Sequence, residues 1–138
     1  MSYPLVVSFY TPHPLYRRYA KSLKESCSKF RLSPLIVELP DQGAWVLNCG
    51  MKPKFLRMAM EKHDRPLLWV DADGQFMELP TLLKDCDHDF AIRGEHGDRK
   101  KKVAGRGVRT MPPNWPTDMK PVWFNTGTVF FNNTDPAK

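Results

Sequence analysis

Leu67-Leu68-Trp69-Val70-Asp71-Ala72-Asp73-Gly74 is an uninterrupted apolar run that ends abruptly in two carboxylates spaced i, i+2 and then a glycine. A short apolar run of this kind has the composition of a buried strand. Its end then delivers acid groups to the carboxyl edge of a sheet. In open α/β sheets the crevice outside those edges is where ligands bind. Two adjacent carboxylates with no local cation are stable there when a metal or a basic ligand joins them. Asp71 and Asp73 are therefore expected to hold a divalent metal. The competing reading is a solvated turn in which Asp73-Gly74 merely ends the strand.

Working outward, the segments before and after this strand alternate in period. Residues 5–10 (Leu-Val-Val-Ser-Phe-Tyr) are compact, apolar and β-branched, and Thr11-Pro12-His13-Pro14 stops them, which predicts a first, central strand and a turn. From Pro14 the spacing becomes helical: Leu15, Tyr19, Leu23, Cys27 and Phe30 fall on one stripe, with Arg17, Arg18, Lys21, Lys24 and Glu25 elsewhere. Residues 34–39 predict a second strand, closed by Pro40-Asp41-Gln42-Gly43, so the first 40 residues form a β-α-β unit with parallel strands. A second helix is expected over residues 53–62, with Phe55, Leu56, Ala59 and Met60 inward and His63 continuing the stripe as a packed side chain. After Gly74 come a short helix near residues 80–84, a strand at 89–93 and a last strand at 122–132, in which Asn125-Thr126-Gly127 marks a bulge or a close backbone approach. Strands alternating with helices make the fold class α/β, with a mostly parallel sheet.

Composition narrows the function classes. A chain of 138 residues, 41% hydrophobic and 12% aromatic, is expected to form one folded domain, residues 1–138. No apolar stretch reaches the length of a membrane span, and Met1-Ser2-Tyr3-Pro4 lacks the pattern of a secretory leader, so a cytoplasmic protein is expected. Three cysteines (Cys27, Cys49, Cys86) without C-x-x-C spacing argue against a disulfide framework and against a zinc site. The net charge of +6 is concentrated: residues 93–109 carry seven basic side chains against Glu95 and Asp98, a surplus of five. Four glycines and no aromatic residue interrupt that segment, which predicts a mobile solvated loop. The part from Arg99 to Arg109 is also able to contact phosphates of a nucleotide or of DNA.

Four stretches together resemble the nucleotide-diphospho-sugar transferase superfamily, the glycosyltransferases of GT-A type with a DxD motif. They are residues 6–12 (Val-Val-Ser-Phe-Tyr-Thr-Pro), residues 45–56 (Trp-Val-Leu-Asn-Cys-Gly-Met-Lys-Pro-Lys-Phe-Leu), the D-x-D strand 67–73, and residues 124–132 (Phe-Asn-Thr-Gly-Thr-Val-Phe-Phe-Asn). The resemblance implies a Rossmann-like GT-A sheet flanked by helices, and transfer of a sugar from a nucleotide-diphosphate donor, a UDP-sugar above all, to an acceptor. It implies Mn²⁺ or Mg²⁺ as the cofactor, with Asp73 on the metal and Asp71 nearer the ribose or the metal's waters. Tyr10, Thr11 and Pro12 would stand beside base and ribose, Lys52 on a phosphate, Trp45 and Asn48 in the same wall, and Asn125, Thr126 and Gly127 at the floor of the sugar or acceptor pocket. Bland readings accompany these: Lys52 as a solvated residue before a helix, Trp45 as a core aromatic, Asn48 as a turn former. GT-A enzymes usually continue past the asparagine-glycine strand into an acceptor half, so this chain is expected to be the nucleotide-binding part.

Two rivals come from other classes. A haloacid-dehalogenase-like phosphatase also uses an apolar strand leading into D-x-D-G, close to Val70-Asp71-Ala72-Asp73-Gly74. That motif normally sits on the chain's first strand with Thr or Val after the glycine, where this chain has Gln75, and no later acidic pair follows a strand. A non-catalytic nucleotide- or nucleic-acid-binding module would use the basic segment, which lacks stacking aromatics.

Overall fold

The computed structural model describes residues 3–96, 100–103, 107–110 and 122–134, with side chains at 3–94 and 126–134. Strand β1 is Leu5–Tyr10, with its first four residues buried. Its chain turns at Thr11–His13 into helix α1, Pro14–Lys29. His13 is the N-cap: its Nδ1 accepts from the Leu15 N–H at 3.2 Å, and Pro14 supplies the fixed φ of a first helical residue. The buried face of α1 is Ala20, Leu23, Ser26 and Cys27. Leu15, expected on that stripe, is 36% exposed. Because α1 begins beyond the carboxyl end of β1, its first turn overhangs the sheet edge. At the other end Arg31 takes a left-handed φ of 56°, and the Leu32 N–H donates to the Cys27 carbonyl at 2.9 Å, which turns the chain into β2, Pro34–Glu38.

The next connection holds two helices where one was expected. Helix α2 is Trp45–Gly50 and helix α3 is Lys52–Lys62, meeting at Met51. The predicted inward set of α3 is the observed one, Phe55, Leu56, Ala59 and Met60. Helix α2 buries nothing, so no amphipathic stripe announces it. Strand β3, Leu67–Val70, is buried throughout. A short 3-10 turn at Thr81–Leu83 precedes β4, Phe90–His96. Strands β5, Lys100–Val103, and β6, Gly107–Thr110, follow, and β7 is Val122–Phe131.

The five-stranded sheet has the order β2-β1-β3-β7-β4. Strand β1 is parallel to β2 (Val7 beside Leu35) and to β3 (Val7 beside Trp69), and β7 is antiparallel to β3 (Val70 beside Thr128). The sheet is therefore parallel at its centre. One face packs Val6, Ile36, Leu68, Val70 and Phe130 against Ala20, Leu23 and Cys27 of α1. On the other face Phe9 and Trp69 make edge contacts with Phe55 of α3 at 5.4 and 6.1 Å between ring centroids. Helices α1 and α3 thus cover opposite faces, as in a doubly wound fold.

The chain divides into two compact units, Met1–Ala91 with Gly127–Lys138, and Ile92–Thr126. The second unit contains the basic segment. Instead of an irregular loop, its described part holds a two-stranded antiparallel hairpin in which Lys101 faces Arg109 and Lys102 faces Val108. Lysine is depleted in strands, which hid the signal. Residues 97–99 and 104–106, part of the expected mobile loop, lie outside the described residues. All three cysteines are free. Burial pushes the Cys27 thiol up to about 11. Among the described residues no helix is long and apolar enough to cross a membrane.

Candidate functional site

The strand order locates a crevice. From β1 the chain goes outward to β2, and from β2 it crosses back over β1 to β3, after which it moves on toward β7 and β4. Strands β1 and β3 are neighbours whose onward connections leave in opposite directions, and the carboxyl ends of such a pair open a ligand crevice. At that edge β1 ends at Tyr10 and runs on into Thr11 and Pro12, and Asp71 directly follows the last residue of β3. Thr11 is buried and its carbonyl accepts from the His13 N–H at 2.7 Å, whereas Pro12 is exposed. Tyr10 is half-buried, with the Lys24 ammonium 5.8 Å from its ring centroid.

Asp71 is held at both backbone atoms. Its N–H donates to the Gly127 carbonyl at 2.8 Å, prolonging the β3–β7 ladder, and its carbonyl accepts from the Gly74 N–H at 2.7 Å, closing the turn Asp71-Ala72-Asp73-Gly74. The glycine is required by space: a Cβ at residue 74 would lie 2.6 Å from Val70 Cγ1 and 3.0 Å from the Asp71 carbonyl oxygen. Because Val70 is β-branched and buried in β3, it has little freedom to yield. Gly74→Ala is expected to cost about 1–3 kcal/mol of stability by overpacking, read as a lowered denaturant midpoint at unchanged slope. An unchanged midpoint would show that the turn relaxes freely.

The Asp71 side chain is equally constrained. Residues two apart on a strand share a face, so the buried Trp69 reaches forward and its Nε1–H donates to Asp71 Oδ1 at 2.6 Å. Lys52, the first residue of α3, brings Nζ to 3.4 Å from the same oxygen and 4.5 Å from the Trp69 ring centroid. The expectation of carboxylates without a local cation is corrected here, since Lys52 supplies one. Sequence separation of 19 residues concealed that pairing. Burial holds the Lys52 ammonium below the usual lysine range, with the Asp71 charge opposing that shift. Nor is Lys52 the solvated side chain of the bland reading, being only 22% exposed.

The remaining expected residues are placed unevenly. Asp73 is exposed in the turn. Trp45 is 58% exposed, so it is not a core aromatic. Asn48 pins the loop before α2: its Oδ1 accepts from the Gln42 N–H at 2.8 Å and its Nδ2 donates to Asp41 Oδ1 at 2.9 Å. The Gly43 N–H donates to the same Asp41 oxygen from a left-handed φ of 84°, and the Asn48 amide first, then this N–H, hold the Asp41 carboxyl below its usual range. Both ends of the Asn48 side chain are thus engaged, in keeping with a turn-forming role. Of Asn125 to Gly127, the Gly127 carbonyl accepts from the Asp71 N–H in register with the β3–β7 ladder, Thr126 is exposed, and the Asn125 side chain lies outside the described residues. Sequence reasoning missed the Trp69 indole as a hydrogen-bond donor, although its i, i+2 spacing to Asp71 was the available signal. It also missed Ser26, whose hydroxyl accepts from the Phe76 N–H at 3.1 Å and ties the segment after Gly74 to α1.

Among the described residues no group of three or more His, Cys, Asp or Glu side chains stands ready to hold a metal. The candidate donors at this edge are then the Asp71 and Asp73 carboxylates. A Mg²⁺- or Mn²⁺-type ion bound through one or two carboxylates completes its shell with waters and phosphate oxygens. Both described bonds to the Asp71 carboxylate fall on Oδ1, and a carboxylate has acceptor capacity to spare on Oδ2. The residues present fit a metal that arrives with a phosphate ligand.

What the fold and the site define is an α/β domain, parallel at its centre, with an acid-tipped interior strand at a topological crevice. No known family model matches the chain, and no curated protein does. Among solved structures it is similar to a glycosyltransferase involved in the glycosylation of the major capsid of PBCV-1, with a TM-score of 0.52 and 19% sequence identity. The match covers 93% of this chain and 58% of that one, so this chain spans somewhat more than half of that protein's length. The fold is shared with a glycosyltransferase.

Proposed function

We propose that this chain is the sugar-nucleotide-binding part of a metal-dependent glycosyltransferase of GT-A type, with a UDP-sugar as the donor. The observation that carries the proposal is the fixed Asp71 carboxylate at the crevice between β1 and β3, with the Lys52 ammonium beside it. A sugar nucleotide presents a diphosphate whose charge must be met as the sugar bond breaks. Asp71 and Asp73 would hold Mn²⁺ or Mg²⁺, and that ion, when bound, neutralises the departing diphosphate. Trp69 orients the Asp71 carboxylate, so its position does not depend on the ligand. Lys52 meets a phosphate oxygen. Tyr10, Thr11 and Pro12 line the base and ribose at the end of β1, Trp45 and Asn48 border them, and Asn125, Thr126 and Gly127 shape the sugar side. The basic hairpin β5–β6 is proposed to bind a polyanionic acceptor such as DNA.

The phosphatase reading gains nothing from the geometry. It needs Asp71 as a nucleophile on the chain's first strand, whereas the strand bearing it is third in the chain. Thermal denaturation separates the two. With Mn²⁺ present, UDP- or GDP-sugars are expected to raise the midpoint by several degrees, and aryl phosphates to leave it unchanged. Hydrolysis of an aryl phosphate that vanishes in Asp71→Asn, with trapping of beryllofluoride on the wild-type protein, would instead identify a phosphatase.

A further inference from the structure

The position of Lys52 has a consequence that rests on the proposed metal-diphosphate site and goes beyond it. The ammonium lies 3.4 Å from Asp71 Oδ1 and 4.5 Å over the Trp69 ring, between an anion and a π face that both attract it. The carboxylate cannot turn away, because the Trp69 Nε1–H fixes the same oxygen at 2.6 Å. A divalent ion on Asp71 would therefore meet a positive charge within a few ångströms. Among the described residues no third acidic, histidine or cysteine ligand gathers there to offset that repulsion. A nucleoside diphosphate, with its several negative charges, removes the conflict by offsetting the charge of both cations.

We infer that Lys52 and the divalent ion hold Asp71 in turn. In the free protein the ammonium is the counter-ion of Asp71 and keeps the metal out. The metal enters only together with the diphosphate, to which the ammonium transfers. Lys52 is the first residue of α3, and its flexible four-carbon stem lets the head group move without displacing the helix. Lys52 is thus a positioning residue that sets the order of binding, metal with nucleotide rather than metal first. It also keeps the carboxylate formed and aimed while the site is empty.

The test is Mn²⁺ titration followed by electron paramagnetic resonance of the unbound ion, on wild type, Lys52→Met, Lys52→Gln and Lys52→Arg, first without nucleotide and then with UDP or GDP. Without nucleotide, the Met and Gln variants are expected to bind Mn²⁺ at least about tenfold more tightly than wild type, because a unit charge a few ångströms away is removed. The Arg variant should behave as wild type. With Mn²⁺ present, the Met and Gln variants should bind the diphosphate at least about tenfold more weakly. Using two neutral replacements guards against one that fails to fold, which circular dichroism reveals. If wild type takes up Mn²⁺ with the diphosphate but neutral variants bind Mn²⁺ alone no better than wild type, the exchange is wrong and the functional reading stands. If no protein takes up Mn²⁺ even with the diphosphate, both fall together.

Discussion

Asp71→Asn is expected to weaken Mn²⁺-dependent binding of a nucleoside diphosphate by roughly a hundredfold or more, while the protein remains folded. The substitution keeps an oxygen for the Trp69 indole N–H but removes the charge that metal and ammonium both require. Altering even an indirect partner of a metal site costs about 10–100-fold, and a direct ligand should cost at least that. Stability should change by less than about 1 kcal/mol, because the Asp71 side chain is 50% exposed and its pair with Lys52 is partly screened. Calorimetric titration gives the affinity and thermal denaturation the stability. A variant that unfolds would show that the acid serves the fold and not a ligand.

Phe130→Ala is expected to have the largest effect on the fold. Phe130 is 2% exposed in β7, pairs with Leu68 and belongs to the cluster that α1 covers. Truncating a buried phenylalanine costs about 3–5 kcal/mol through lost burial and the cavity left behind. Against a typical total of about 5–15 kcal/mol this is a large fraction, equivalent to a drop of roughly 10 °C or more in the thermal midpoint for a chain of this size. Since β7 also supplies the Gly127 carbonyl that receives the Asp71 N–H, the loss should loosen the crevice as well. A change below about 1 kcal/mol would mean that β7 is not integral to the core.

The parts of the fold that periodicity governs were legible. Strand β1 and its turn, the inward face of α3, the β-α-β start and the apolar run of β3 all follow from spacing, because burial on one face writes the pattern into the sequence. What spacing does not encode was missed. Helix α2 has no buried residue and hence no stripe, and the hairpin β5–β6 hides under a lysine run that disfavours strands. Leu15 followed the helical period but lies exposed in the first turn of α1, ahead of its buried face. The edge position of Asp71 was readable from the abrupt end of β3. The Lys52–Asp71 pair was not, since nothing local relates residues 19 apart until the second crossover brings α3 over β3. The role of Asn48 as a clamp on the loop at Asp41 likewise depends on tertiary placement, although a turn-forming asparagine was one of its readings.

The most direct measurement of the central claim is a calorimetric titration of the wild-type chain with UDP and with GDP, once with Mn²⁺ and once with excess EDTA. Binding of at least one of the two is expected with Mn²⁺, and its loss on chelation. Equal affinity in both conditions, or no binding in either, would contradict the claim.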